Sequence, residues 1–454
     1  MVECGLAEIS ITPPLGSILP GYYHDRRSTG VIDELYARAL ILDDGRIRIA
    51  VISLDAIAIG REAVCEIRES IFQKTAIPKN NIMVCCTHSH TTGPTENWGE
   101  EVREDGEYIR LLVKKAADAV CVANDRKEPA RIGFGTGSEG EISFNRRYYM
   151  KDGGVQSNPG IKNPDIVKPA GPIDPEVTVM RVDAADGRPL GVVANFACHC
   201  DTVGGSEYCA DFPGEVSRRL KEDLGGQVVS MMLAGASGDI NHIDVSGGSG
   251  GEVYRPEHFR RMGRILGYEI LKVRDKIDTV SDITLAAASC IRKAETMKPG
   301  KKDRSIAQRI ISSVPYNYEK LAKFDDDQIE LFFAKEALRM LNDPGAGKPA
   351  DMEIQVFRIG ELGIAAYPVE LFAGFGLDLK KKSPLRYTMV STNSNGRMGY
   401  VFMPEALSEE PCKYGVLYYS RCSTGNLAGS NGREIVEKTL EMMRKVGGLE
   451  DVNP

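Results

Sequence analysis

Two apolar runs, "RIRIAVISLDA" (46–56) and "NNIMVCCT" (80–87), flank a stretch with helical spacing, and each is bounded by polar or glycine residues. This order reads as strand, helix, strand, the βαβ unit of an α/β protein. "EYIRLLVKKAADAVCVA" (107–123) and "EHFRRMGRILGYEILKVRDKI" (257–277) repeat apolar residues at i, i+3 and i+4, the second through Phe259, Met262, Leu266, Ile270 and Val273. Both predict amphipathic helices packed on a sheet. "EVTVMRVDA" (176–184), "LGVVANFACH" (190–199), "QVVSMMLAG" (227–235) and "MEIQVFRIGELGIAAYPVE" (352–370) supply four more strand segments or pairs, and "REIVEKTLEMMRKV" (433–446) a closing helix. The fold class is therefore α/β, with mixed β-sheets flanked by helices. Residues 295–350 are charged and helical, and the strand pattern resumes after them, which predicts a helical insertion within a single domain spanning 1–454. The Gly-rich "SGGSGGE" (246–252) reads as a mobile loop.

A chain of 454 residues can bury a large core, and 42% hydrophobic with 27% charged residues is an ordinary globular balance. Fifty-seven basic against 64 acidic residues give a net charge of −7, and no Lys/Arg cluster is interleaved with aromatics, which argues against nucleic acid. No uncharged apolar run reaches the roughly 18 residues that span a bilayer, so no stable membrane association is expected. The N-terminal "MVECGLAEISITPPLG" carries Glu3 and Glu8 with no basic region before an apolar stretch, unlike a secretory signal. Eleven cysteines are an odd number, and Cys85, Cys86 and Cys198 sit in strand-like runs as small buried hydrophobes. A cytoplasmic protein acting on a small-molecule substrate is expected; a homo-oligomer is left open.

The six histidines are the residues to follow, because neutral imidazole is the commonest metal ligand and the usual acid or base near neutral pH. His88 and His90 follow the strand at 82–87, His199 ends the strand at 190–198, His242 follows "AGASGDIN", and His24 sits in "PGYYHDRR". His258 falls in a helix pattern and reads as a residue of its solvent face. Ligands collect at the carboxyl ends of strands in α/β sheets, so His88, His90 and His199 can converge there. An isolated His-x-His is a weak signal that two polar strand caps explain as well. "FACHC" at a second strand end and "YPVE" at a third strengthen the metal reading, since two His and one Glu make the ligand set of a catalytic zinc with an open position. Cys198 and Cys200 flank His199 but point to the opposite face of an extended segment.

Six motifs in order, "THSHTTGP" (87–94), "SFNRR" (143–147), "NFACH" (195–199), "AGASGDIN" (234–241), "YPVE" (367–370) and "NGRMGYVFMPEA" (395–406), resemble the catalytic N-terminal domain of the neutral/alkaline non-lysosomal ceramidase family. "GLAEISITPPLG" through "ARALILDDG" resembles that family's first strands, so the resemblance spans nearly the whole chain. It implies one Zn²⁺ per chain held by His88, His199, Glu370 and Tyr400. It further implies His90 as a substrate contact and proton carrier, with Arg146 and Tyr414 binding the substrate and its oxyanion. Where the family has an active-site serine, this chain has Asn241, and the loop before Gly-Pro is one residue longer. The family's C-terminal β-sandwich and secretory signal are not expected here.

The resemblance implies a metallohydrolase in which metal-bound hydroxide attacks a carbonyl. Polar and basic loops around the expected site offer His24, Arg147, Asn241 and His242, beside Arg26, Arg27 and Arg146, to a hydroxylated substrate. The leading expectation is hydrolytic cleavage of a small polar cyclic ketone in polyol, inositol or sugar catabolism. The alternative is an N-acyl amide, as in ceramide. A metal-free small-molecule binding protein is the reading from another class.

Overall fold

The turn "DDGR" after "ARALIL" makes the first hairpin: Asp44 Oδ1 accepts from the backbone of Arg46 and Ile47, and Gly45 takes a left-handed φ of 80°. The computed structural model describes residues 1–97, 102–248, 256–296, 300–408, 427 and 430–449. In chain order its first part runs β1 (Glu3–Ser10), β2 (Tyr36–Asp43), β3 (Arg48–Leu54), α1 (Arg61–Thr75), β4 (Ile82–Cys86), α2 (Gly106–Asp125), β5 (Glu128–Ser138), β6 (Glu176–Ala184), β7 (Pro189–Phe196), α3 (Asp211–Leu224), β8 (Val229–Ala234) and α4 (Pro256–Arg274). Then follow β9 (Leu285–Ala294), α5 (Lys301–Ser313), α6 (Asp326–Asn342), β10 (Ala350–Ile359), β11 (Leu362–Ala366), β12 (Glu370–Leu371), α7 (Ala373–Lys382), β13 (Tyr387–Ser391), β14 (Tyr400–Val401) and α8 (Ser430–Gly447).

The larger sheet has eight strands in the order β8-β7-β6-β5-β1-β2-β3-β4. Its two outermost pairs are parallel and the rest antiparallel, so the expected βαβ unit, β3-α1-β4, closes one edge of a mixed sheet. The smaller sheet, β9-β10-β11-β13, ends in a parallel pair as well. One face of each sheet packs on the other through Leu40, Val51, Met83, Phe357, Ile364 and Met389. Helices α1 and α2 cover one half of the large sheet's outer face and α3 and α4 the other; α7 and α8 cover the small sheet. Sheets enclosed on both faces explain why the strands read as continuous apolar runs.

Strand β5, "EPARIGFGTGS", has no such signal because α4 and the residues after it press on it. A Cβ at Gly133 would stand 2.2 Å from the carbonyl oxygen of Asp278. Helices α5 and α6 lie between β9 and β10, which pair antiparallel along their whole length, and they carry a separate small apolar cluster of Ala307, Ile310, Leu331, Ala334 and Ala337. No helix among the described residues is long and apolar enough to cross a membrane.

Candidate active site

Strands β4, β7 and β11 are each followed within a few residues by a histidine or glutamate, and His88, His199 and Glu370 meet although the pairings run β4 and β7 in opposite senses through the sheet. His88 has a left-handed backbone, φ 69°, rare for a residue with a Cβ. Two bonds hold it there: its amide donates to Ala56 O at 2.9 Å and its Nδ1 to Ile57 O at 2.7 Å. The other two imidazoles are held in the same way, His90 Nδ1 on Gly21 O at 2.9 Å and His199 Nδ1 on Ser237 O at 3.2 Å. A carbonyl can only accept, so each Nδ1 carries the hydrogen and each Nε2 of a neutral ring presents a lone pair.

Those lone pairs converge. His88 Nε2 and His199 Nε2 are 3.1 Å apart, and Glu370 Oε2 lies 3.3 Å from the first and 3.8 Å from the second. Ligand atoms about 2.0–2.2 Å from a tetrahedral zinc stand roughly 3.3–3.6 Å from one another. Nothing but a proton or a cation can sit between two ring acceptors at 3.1 Å. His90 joins the cluster more loosely, within 4.8 Å of the other two rings. Buried Nε2 of His90 and Oε2 of Glu370 make no hydrogen bond. Burial pushes the Glu370 carboxyl up, but the His88 ring, Arg397 and a hydrogen bond with Tyr400 outweigh it and hold the group at about 2. Burial and the neighbouring His88 lower His90 to about 3, and burial lowers His199 well below the usual imidazole range. The donor set is thus two or three imidazoles turned by their Nδ1 bonds and one anionic carboxylate, which fits a divalent cation such as Zn²⁺.

Glu370 and Tyr400 are register partners across the short parallel pair β12 and β14, so the fold brings two residues 30 positions apart to one point. Arg146 donates to Gly238 O at 2.5 Å, and its guanidinium carbon lies 5.5 Å from the centre of the Tyr400 ring. The remaining expected site residues scatter. Arg147 is buried over the Phe372 ring. Asn241, expected from the sequence to contact substrate, donates its amide to Asn158 Oδ1 and accepts the Ile243 N–H on its oxygen. His242 is buried with Nδ1 2.9 Å from His258 Nε2. His258, expected on the solvent face of its helix, is instead buried in that pair; the helical pattern did not reveal an imidazole opposite. Cys198 and Cys200 lie in the apolar cluster under α3 and α4, away from the His199 ring, as the strand alternation requires. Tyr414 and residues 249–252 of the Gly-rich loop lie outside the described residues.

His24 lines a cleft of about 460 Å³ with Tyr22, Asp25, Arg27, Ser206, Tyr318 and Phe324. Its inner wall, Tyr22, has its ring centre 5.7 Å from that of His90. Sequence reasoning missed the groups that aim the imidazoles, because they are main-chain carbonyls with no side-chain signature. Arg26, expected from the sequence to meet substrate hydroxyls, binds the carbonyls of His90, Pro20 and Gly205 with its buried guanidinium. Only Gly21 in "PGYYHDRR" marked one of these sites: its φ is 104°, and a Cβ there would lie 2.8 Å from His90 Nδ1.

The family model for the neutral/alkaline non-lysosomal ceramidase N-terminal domain matches residues 3–209. Neutral ceramidase B of Dictyostelium discoideum is 23% identical over 232 residues, a match covering 48% of this chain and 31% of that protein. The chain thus spans about a third of the curated relative it matches. Two solved structures share the fold: neutral ceramidase from Pseudomonas aeruginosa, at TM-score 0.71 and 16% identity over 98% of this chain and 75% of that one, and a ceramidase complexed with C2, at TM-score 0.73 and 17% identity over 100% and 76%. This chain therefore has the fold of neutral ceramidase, and its first 209 residues carry the sequence signature of the neutral/alkaline non-lysosomal ceramidase family.

Proposed function

We propose that the protein is a metal-dependent hydrolase of N-acyl amides, with one divalent cation, read as Zn²⁺, held by His88, His199 and Glu370 and with Tyr400 beside Glu370. The observation that carries this reading is the set of Nδ1–carbonyl bonds that turns the Nε2 lone pairs of His88 and His199 onto one point beside an anionic Glu370. Glu370 is preferred over His90 as the third ligand because its oxygen stands at the spacing a tetrahedral site needs. A cation bound there supplies Lewis-acid polarisation of the scissile carbonyl and of the attacking water. His90, neutral and with an unused Nε2, accepts the proton of that water and delivers it to the leaving amine. Arg146, fixed against Tyr400, donates to the charge that grows on the carbonyl oxygen.

The amide is supported by the family match and by the likeness to a ceramidase recorded with C2, and so takes precedence over the cyclic ketone expected from the sequence. One observation favours the ketone, with its polyol or sugar context: the cleft beside His90 offers His24, Asp25, Arg27 and Ser206 to hydroxyl groups. Buried thiols at Cys85, Cys86, Cys198 and Cys200, all free, support a reducing compartment such as the cytoplasm. The deciding experiment measures metal content and turnover of a fluorogenic N-acyl amide and of cyclic polyol ketones, for wild type, His199→Ala and His90→Ala. The reading expects about one metal per chain, lost with His199 and kept with His90 replaced, and amide turnover lost in both variants. Metal-free, inactive wild type would replace it with the binding-protein reading, and ketone turnover alone would reverse the choice of substrate.

A further inference from the structure

His242 and His258 form a second imidazole pair, apart from the three rings of the candidate metal site. His258 lies in the first turn of α4, whose following residue Phe259 and stripe Met262, Leu266 and Ile270 are fully buried against the rest of the protein. The helix is a rigid anchor. His242 follows the short strand Ile240–Asn241, which pairs with Phe144–Asn145. With Nδ1 of His242 and Nε2 of His258 2.9 Å apart, one ring donates and the other accepts. On its other side the His242 ring faces Asp201, with Nε2 3.6 Å from Asp201 Oδ1, a charge contact longer than a hydrogen bond.

Asp201 stands two residues after His199, and the residue between them, Cys200, accepts the His90 N–H at 3.1 Å. Three consecutive residues therefore carry the His199 ring, the acceptor that fixes the His90 backbone, and the contact to His242. We propose that His258 is a positioning residue for the candidate metal site: it holds the His242 ring, and His242 holds the 199–201 turn at the setting in which His199 and His90 converge. Without the His258 nitrogen, a buried nitrogen of His242 loses its partner, and the ring that braces the turn is no longer fixed. The consequence for metal rests on the metallohydrolase reading; the clamp itself is a property of the chain.

The test compares His258→Phe with His258→Gln in the full chain. Gln has an amide that donates and accepts, so it can replace the lost nitrogen in either tautomer. Zinc affinity is read by chelator competition, and hydrogen exchange over residues 196–204 is read in the metal-free protein. Partners that orient metal ligands change affinity by roughly 10–100-fold, so His258→Phe should weaken zinc binding by about that factor, with His258→Gln within about threefold of wild type. Exchange over 196–204 should rise in the first variant and not in the second. Wild-type affinity and exchange in His258→Phe, or equal damage in both variants, would overturn the clamp. Should His258→Phe not fold, His258→Asn, whose shorter amide leaves a gap to His242, takes its place with the same outcomes. A wild type that takes up no zinc would remove the metallohydrolase reading alone, since exchange over 196–204 still decides the clamp.

Discussion

The candidate metal-site edge and the helical segment of α5 and α6 are built by opposite means. At the edge, three imidazoles are aimed by main-chain carbonyls of Gly21, Ile57 and Ser237, and every ring is buried. The helical segment keeps its own small core and meets the loop at 22–25 through aromatic faces: Tyr23 against Phe324, Phe332 and Phe333, Tyr22 against Phe324, and Tyr318 Oη donating to Asp25 O at 2.8 Å. Rings held by directional bonds have one setting, whereas ring-on-ring packing fixes proximity but tolerates small shifts. Chemistry needs the first kind of construction, and a cleft wall can be made by the second. Gly21 joins them, with His90 on its carbonyl and Tyr22 and Tyr23 following it in the chain.

The comparison breaks most sharply at the rings. His199→Ala should take bound metal from about one per chain to background, read by elemental analysis, while the fold persists by circular dichroism. Arg146→Ala should keep the metal and lower kcat by roughly 10²–10³, the usual loss of an oxyanion donor. On the other side, Phe333→Ala removes a buried ring from the aromatic seam at a cost on the order of 3 kcal/mol to the helical segment. Proteolysis should then quicken within 301–342 while metal content stays unchanged; loss of metal would show that the two regions are one cooperative unit. Gly21→Ala forces a Cβ into a left-handed position at about 1–2 kcal/mol and toward the His90 ring, so kcat should fall with metal retained.

The last effect is in pH. Burial holds His90, His199, His242 and His258 below the ordinary imidazole pKa of 6.5, to about 3 for His90 and about 4 for His258. Between those values and 6.5 the unfolded chain binds more protons, so stability of the metal-free protein is complete above pH 6.5 and falls as pH is lowered toward 4. Urea midpoints should fall over that window, and less steeply in His258→Gln, which lacks one of the titrating rings. A flat profile would mean that the rings are solvated in the metal-free protein.

The two enclosed sheets and most helices were legible in the sequence because burial on both faces leaves continuous apolar runs, and amphipathic helices keep their period. Strand β5 was not, because its glycines answer a helix pressed against it rather than a strand propensity. His88, His199 and Glu370 were legible as polar residues standing at the ends of apolar runs, a contrast that survives without any fold. Their meeting was not in the sequence: it depends on which strands lie side by side, and on the β12–β14 register that sets Tyr400 beside Glu370. The same limit explains Asn241 and His258. A polar residue in a loop or on a helix face can bind a substrate, meet solvent or pair with another buried group, and only its neighbours in space choose. Residue type and period, then, were enough for the layers and the donors, since both depend on local burial. Distances between donors, the direction of each lone pair and the pairing of His242 with His258 came from tertiary structure, because they are set by contacts between distant parts of the chain.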